Sequence, residues 1–113
     1  MVFYTMSTIL ITVQEPYASH IINGTKTVEG RLNKGKFAEA QVGDRVLLND
    51  AVEFVIVEKN QYKTFREMLE QEGVENVIPN VETVDEAVEV YYQFYTSDQE
   101  KEFGVISLKI EKV

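Results

Sequence analysis

The chain has 113 residues, a single histidine, no cysteine and a formal net charge of −8 at pH 7. That length makes one domain, residues 1–113, with a core that needs no covalent staples, and the missing cysteines exclude disulfides and thiolate metal sites. The acidic balance excludes non-specific binding to long duplex nucleic acid, which needs a basic footprint.

Nothing approaches the roughly 20 consecutive apolar residues that span a bilayer. Residues 1–7 carry neither a basic stretch nor a long apolar run, so no secretory leader is expected. A soluble cytoplasmic or nuclear protein is the resulting expectation.

Residues 8–14 are apolar or β-branched at nearly every position, which predicts a strand buried on both faces. Glu15-Pro16 then opens a short helix, because proline suits the first helical position. Tyr17, Ile21 and Ile22 form its buried stripe, and Gly24 stops it. Residues 26–32 alternate as a strand, with Thr27, Glu29 and Arg31 on one face and Lys26, Val28, Gly30 and Leu32 on the other. Gly30 inside that strand marks a bulge or a close approach by a backbone or a ligand. Residues 33–36 read as a loop and 37–40 as one helical turn. Val42-Gly43-Asp44 turns the chain into a strand over 45–49, and a tight connection at Asp50-Ala51 leads to another over 52–59.

The middle of the chain is helical. Thr64 and Glu67 form a capping box, followed by a buried stripe of Phe65, Met68 and Leu69 and a stop at Gly73. Residues 76–79 are a connector. Thr83 with Glu86 repeats the box, and Ala87, Val90, Tyr91 and Phe94 fall at helical spacing as core positions. Ser97 with Glu100 is a third such signature, stopped by Gly104. The last strand, 105–113, turns Ile106, Leu108 and Ile110 inward and Ser107, Lys109 and Glu111 outward. The order is strand, helix, three strands, two or three helices, strand. It does not alternate, so a doubly wound parallel sheet is excluded. The fold class is α+β: a small, mostly antiparallel β-barrel with helices packed on it.

Charge is unevenly spread along this order. Residues 24–36 carry four bases (Lys26, Arg31, Lys34, Lys36) and one acid, Glu29, whereas residues 67–102 carry eleven acids and one base, Lys101. A positive patch on an acidic body suits a nucleotide or a short single strand and repels bulk polyanion. Glycine-rich phosphate loops, nucleophile elbows and paired-histidine zinc motifs are all absent. His20, with neither a cysteine nor a second histidine beside it, makes no zinc site, and the pattern implies no metal and no cofactor. What remains is a lysine just past a glycine turn and a Glu29–Arg31 pair two residues apart. Lys26 can serve as a base or an electrostatic anchor. Arg31 can hold Glu29 or meet a carboxylate or phosphate with two N–H groups. Among the aromatic residues, Tyr17 is the best placed to stack on a base, because its helix leads into this stretch.

The stretch Asn23-Gly-Thr-Lys-Thr-Val-Glu-Gly-Arg31 resembles the G-x-K-x-x-E-x-R signature of ASCH domains, members of the PUA-like superfamily. The resemblance continues through Val42-Gly-Asp44, residues 65–73 and 75–79, Tyr92-Gln-Phe-Tyr95 and Gly104-Val105. It is nearest to small stand-alone archaeal and bacterial ASCH proteins. It implies a PUA-like barrel of five or six strands, a cleft beside the first helix, and recognition there of RNA or a modified nucleoside. Some ASCH proteins resembling this one are amidohydrolases that deacetylate N4-acetylcytidine. The resemblance carries their catalytic lysine onto Lys26 and their glutamate onto Glu72, and Glu29 stands where they have a threonine. A mechanism on these residues has Glu29 or Glu72 activate water while Lys26 stabilises the oxyanion. Tyr17, Thr27, Arg31, Lys34 and Lys36 complete the expected substrate-binding set. Other ASCH proteins are linked to ribonuclease activity or to RNA binding without chemistry, and both alternatives stay open here.

Overall fold

The structure is a computed structural model that describes residues 7–113; the leader sought at the N-terminus falls on residues 1–6, outside the described residues. The order is β1 (Thr8–Ile11), α1 (Tyr17–Asn23), β2 (Val28–Leu32), α2 (Gly35–Glu39), β3 (Arg45–Leu48), β4 (Val52–Tyr62), α3 (Phe65–Glu72), α4 (Val74–Val77), α5 (Val84–Tyr92), α6 (Ser97–Phe103) and β5 (Val105–Lys112). The five strands make one curled sheet in the order β1-β3-β4-β5-β2. β1 runs parallel to β3 and every other pairing is antiparallel. The result is the expected α+β fold, a mostly antiparallel barrel with helices around it, here a half-barrel of five strands. No helix among the described residues is long and apolar enough to cross a membrane.

Two apolar clusters flank the sheet. The inner one joins β1, β3, β4 and β5 through Ile9, Val46, Ile56 and Leu108, and Ala18 and Ile21 of α1 close its end. The outer one packs Phe65, Met68 and Leu69 of α3 with Ala87, Val88 and Tyr91 of α5 onto Val28, Leu32 and Val105. Residues 28–32 lie between the two. Val28, Gly30 and Leu32 are paired with Lys109, Ser107 and Val105, so that parity of β2 faces α3 and α5.

Several sequence expectations change in detail. β1 buries Ile9 and Ile11 but exposes Thr8 and Leu10, so this edge strand of the sheet is covered on one face only. Proline 16 occupies the N-cap of α1 and not its first turn, and Ile22 is exposed. The turn expected at 37–40 is α2, shifted back to start at Gly35. β4 runs on to Tyr62 across a bulge between Ile56 and Glu58. The third cap is Thr96 with Gln99, one residue before the expected pair. This shift frees Glu100 to turn inward, where it accepts from the Phe65 N–H at 2.7 Å and from the Tyr92 hydroxyl at 2.7 Å. Ser107, expected outside, is buried, because the end of α3 covers that face of β5 and Glu72 accepts from its hydroxyl at 2.8 Å.

The close approach that Gly30 signals is made by α3 and α5. A Cβ at Gly30 would stand 2.6 Å from Met68 Cε and 2.7 Å from the Tyr91 hydroxyl. Overpacking of this kind typically costs about 1–3 kcal/mol. Gly30→Ala is therefore expected to lower the unfolding free energy by that amount, read as a lower urea midpoint at unchanged m-value, and wild-type stability in this variant would contradict the packing.

Candidate nucleobase cavity and its buried charge row

Gly24, with φ of 87°, ends α1 in the left-handed region that glycine occupies without strain, and its N–H returns to the Ile21 carbonyl. The next residues are captured one by one. The Lys26 N–H donates to the His20 carbonyl at 3.0 Å, and the Thr27 N–H donates to the Asn76 carbonyl at 3.0 Å. These bonds delay the regular strand until Val28. Lys26 therefore leaves the strand alternation, which would have set it on the face opposite Glu29, and its side chain turns into the protein beside that carboxylate.

Lys26 is 2 % exposed. Its ammonium donates to the Val28 carbonyl at 2.6 Å and the Val77 carbonyl at 2.6 Å, and lies 3.5 Å from Glu29 Oε1. An ammonium has three N–H groups, and here each faces an acceptor. Burial pulls the Lys26 pKa below the ordinary lysine value, and the Glu29 charge opposes that fall. The other Glu29 oxygen lies 3.4 Å from Arg31 Nη2. Arg31 also donates to the Thr12 carbonyl at 3.0 Å, and its guanidinium lies 4.7 Å over the Phe37 ring. Lysine, carboxylate and guanidinium thus form a continuous row, cation–anion–cation, buried at Lys26 and Glu29 and half-buried at Arg31.

This row forms the floor of a cavity of about 180 Å³. Residues 12–14 and Tyr17 form one wall; Ile78, Val90, Tyr91, Phe94 and Tyr95 form the other. Tyr17 packs against both apolar clusters, at their junction. The rings of Tyr91 and Tyr95 are set by Phe65 of α3, which stacks on them at centroid distances of 4.4 Å and 5.4 Å. The Tyr91 hydroxyl is buried against the Gly30 backbone, with no side-chain hydrogen-bond partner among the described residues. Burial raises the Tyr91 pKa well above the usual phenol value, and the Glu29 charge adds to that rise.

Of the residues the sequence singled out, Tyr17, Lys26, Glu29 and Arg31 meet at this cavity. Glu72 does not line it. Its Oε2 accepts from Tyr62 at 2.5 Å, Ser107 at 2.8 Å and Asn60 at 3.2 Å, on the side of the sheet covered by α3. Burial and then Glu72 push the Tyr62 pKa up to about 12. Thr27 is half-buried outside the cavity wall, with its backbone tied to Asn76 and Ile110. Lys34 and Lys36 border an adjoining depression. Phe94, expected in the core, is 45 % exposed, because the helix ends at Tyr92 and the following turn swings its ring outward. Residues 12–14, Ile78, Val90 and the double role of Tyr91 were missed in the sequence. The one local signal for them was Gly30.

Removing the lysine leaves two buried carbonyls without donors and Glu29 with only Arg31. Loss of one partner of a buried pair typically costs about 3–5 kcal/mol, and Lys26→Met should be destabilised by about that much in urea. The pH dependence carries a sign. The folded Lys26 pKa lies below that of an ordinary lysine, so between the two the unfolded chain holds more protons and stability rises with pH. Above pH 10 the raised tyrosines act the other way, since the unfolded chain ionises first. The rise below pH 10 should therefore be present in the wild type and absent in Lys26→Met, measured as urea midpoints from pH 7 to 10.

The ASCH domain family pattern matches residues 11–113. Among solved structures, the hypothetical protein PH0355 superposes with a TM-score of 0.90 at 37% identity, over 96% of this chain and 100% of its own. A protein from Pyrococcus furiosus solved by NMR gives a TM-score of 0.80 at 34% identity, over 94% of this chain and 97% of its own. An ASCH protein from Zymomonas mobilis gives 0.63 at 13% identity, over 94% of this chain and 68% of its own, a likeness of fold alone. No curated protein matches the chain. The matched span takes in Gly24, Lys26, Glu29 and Arg31 and almost every element of the half-barrel, and this chain is a member of the ASCH domain family.

Proposed function

We propose that the protein binds RNA or a modified nucleoside by taking one nucleobase into the cavity above the Lys26–Glu29–Arg31 row. The observation that carries this reading is the Glu29 carboxylate, set between Lys26 and Arg31 at the floor of an aromatic-walled cavity. A carboxylate in such a site accepts strong charge-assisted hydrogen bonds. The edge of a pyrimidine offers it an amino or imino N–H. Tyr17 supplies a ring at the mouth for stacking. At about 180 Å³ the cavity is below the roughly 300 Å³ at which drug-sized pockets begin, so it suits a single ring system and not a whole nucleotide.

A second reading, hydrolysis of an acylated pyrimidine nucleoside such as N4-acetylcytidine, draws support from Lys26 and Glu29 standing together in the cavity. In that reaction Glu29 takes a proton from water as its oxygen adds to the acetyl carbonyl. The C–N bond then breaks, the proton passes to N4, and acetate and cytidine leave. The geometry favours binding over this chemistry. All three Lys26 N–H groups already face protein acceptors, and Glu72 is held by Tyr62 and Ser107 away from the cavity.

Calorimetric titration with cytidine and with N4-acetylcytidine tests both readings. Binding should weaken about tenfold or more in Tyr17→Ala and in Glu29→Gln, the loss of one stacked ring or one charged acceptor. Affinities unmoved by either substitution would remove the base from this cavity. Release of cytidine from N4-acetylcytidine, abolished by Glu29→Gln, would establish the hydrolytic reading.

A further inference from the structure

We infer that the ligand is a phosphodiester-linked strand and not a free nucleoside, with a second subsite for the linking phosphate and the neighbouring base on Lys34, Lys36 and Phe94. This inference rests on the nucleobase reading above and deepens it. The cavity holds a base and little more, so the sugar and its phosphate must leave by the mouth. A second depression of about 370 Å³ adjoins that mouth and shares Phe94 and Tyr95 with the cavity as a common wall.

The chemistry of the second depression is that of a phosphate and a base. Lys34 and Lys36 stand on its rim, and neither forms an ion pair among the described residues. Their ammonium groups rest instead over the rings of Phe103 and Phe37, at 4.8 Å and 5.5 Å. Lys36 also donates to the Leu10 carbonyl, which uses one of its three N–H groups and leaves two. In a chain of net charge −8, two cations without an ion-pair partner bordering one depression are a local exception that an anion would complete. Phe94 stands between the two depressions at 45 % exposure. An exposed aromatic face next to a cationic rim is the combination on which successive bases of a single strand stack while the backbone follows the charges.

The test compares affinities for cytidine, for cytidylyl-uridine, and for the same dinucleotide with an uncharged methylphosphonate link. The natural dinucleotide should bind about tenfold tighter than cytidine, the scale of one stacked base and one phosphate contact. The uncharged link should forfeit most of that gain. In the double variant Lys34→Gln/Lys36→Gln the ratio of dinucleotide to cytidine affinity should fall to near one, whereas Lys112→Gln should leave the ratio as it is. If the double variant fails to fold, the comparison of linkages on the wild-type chain decides alone. Cytidine binding with no gain for the dinucleotide, or an equal gain for the uncharged link, overturns this inference and leaves the cavity reading standing. No binding by either ligand overturns both.

Discussion

Taking a lysine ammonium out of water costs several kcal/mol, and the architecture around Lys26 is arranged to offset that cost. Two backbone carbonyls from different parts of the chain, Val28 and Val77, and one carboxylate, Glu29, surround the charge. The carboxylate is thereby fixed in turn and passes the constraint on to Arg31, which crosses to the Thr12 carbonyl. One buried cation thus ties α4, the start of β2 and the end of β1 into a single charged row. Gly30 is no less committed, since Met68 and Tyr91 crowd it and leave no space for a side chain.

The same row answers a problem of the fold. A curled five-stranded sheet in the order β1-β3-β4-β5-β2 leaves β1 and β2 as free edges, and free edges invite pairing with other chains. Here cationic side chains cross the seam: Arg31 donates to Thr12 and Lys36 to Leu10. A gap bridged by side chains, and not by a backbone ladder, leaves space between the edges. The cavity opens where Arg31 makes that crossing. Closure of the half-barrel and construction of the site are therefore the work of the same residues.

Much of this was legible from residue pattern alone, because periodicity and caps are local. The helices at 65–72 and 84–92 begin at Thr64 and Thr83, whose side chains accept from Glu67 and Glu86 as their spacing implies. The ordered motif from Gly24 to Arg31 marked the site. Three things were not legible, each for a tertiary reason. Lys26 and Glu29 meet because His20 and Asn76 hold residues 26 and 27 out of the strand ladder, and neither bond follows from the alternation of side chains. Glu72 lies within the resembling stretch, yet β4 and β5 supply three donors that hold it on the outer face. Tyr91 sits on a helical stripe and reads as core; that it also walls a cavity depends on α5 ending just beyond it.

The central claim is that ligand binds on the Lys26–Glu29–Arg31 side of the sheet and not on the Glu72 side. Backbone and side-chain amide shifts in a ¹⁵N-labelled sample titrated with cytidine locate the ligand directly. The account predicts shifts at the amides of Gly30 and residues 12–14 and at the Arg31 guanidinium, with Asn60 and Ser107 unmoved. Shifts centred on Asn60, Ser107 and the end of α3, with Gly30 and Arg31 silent, would contradict it.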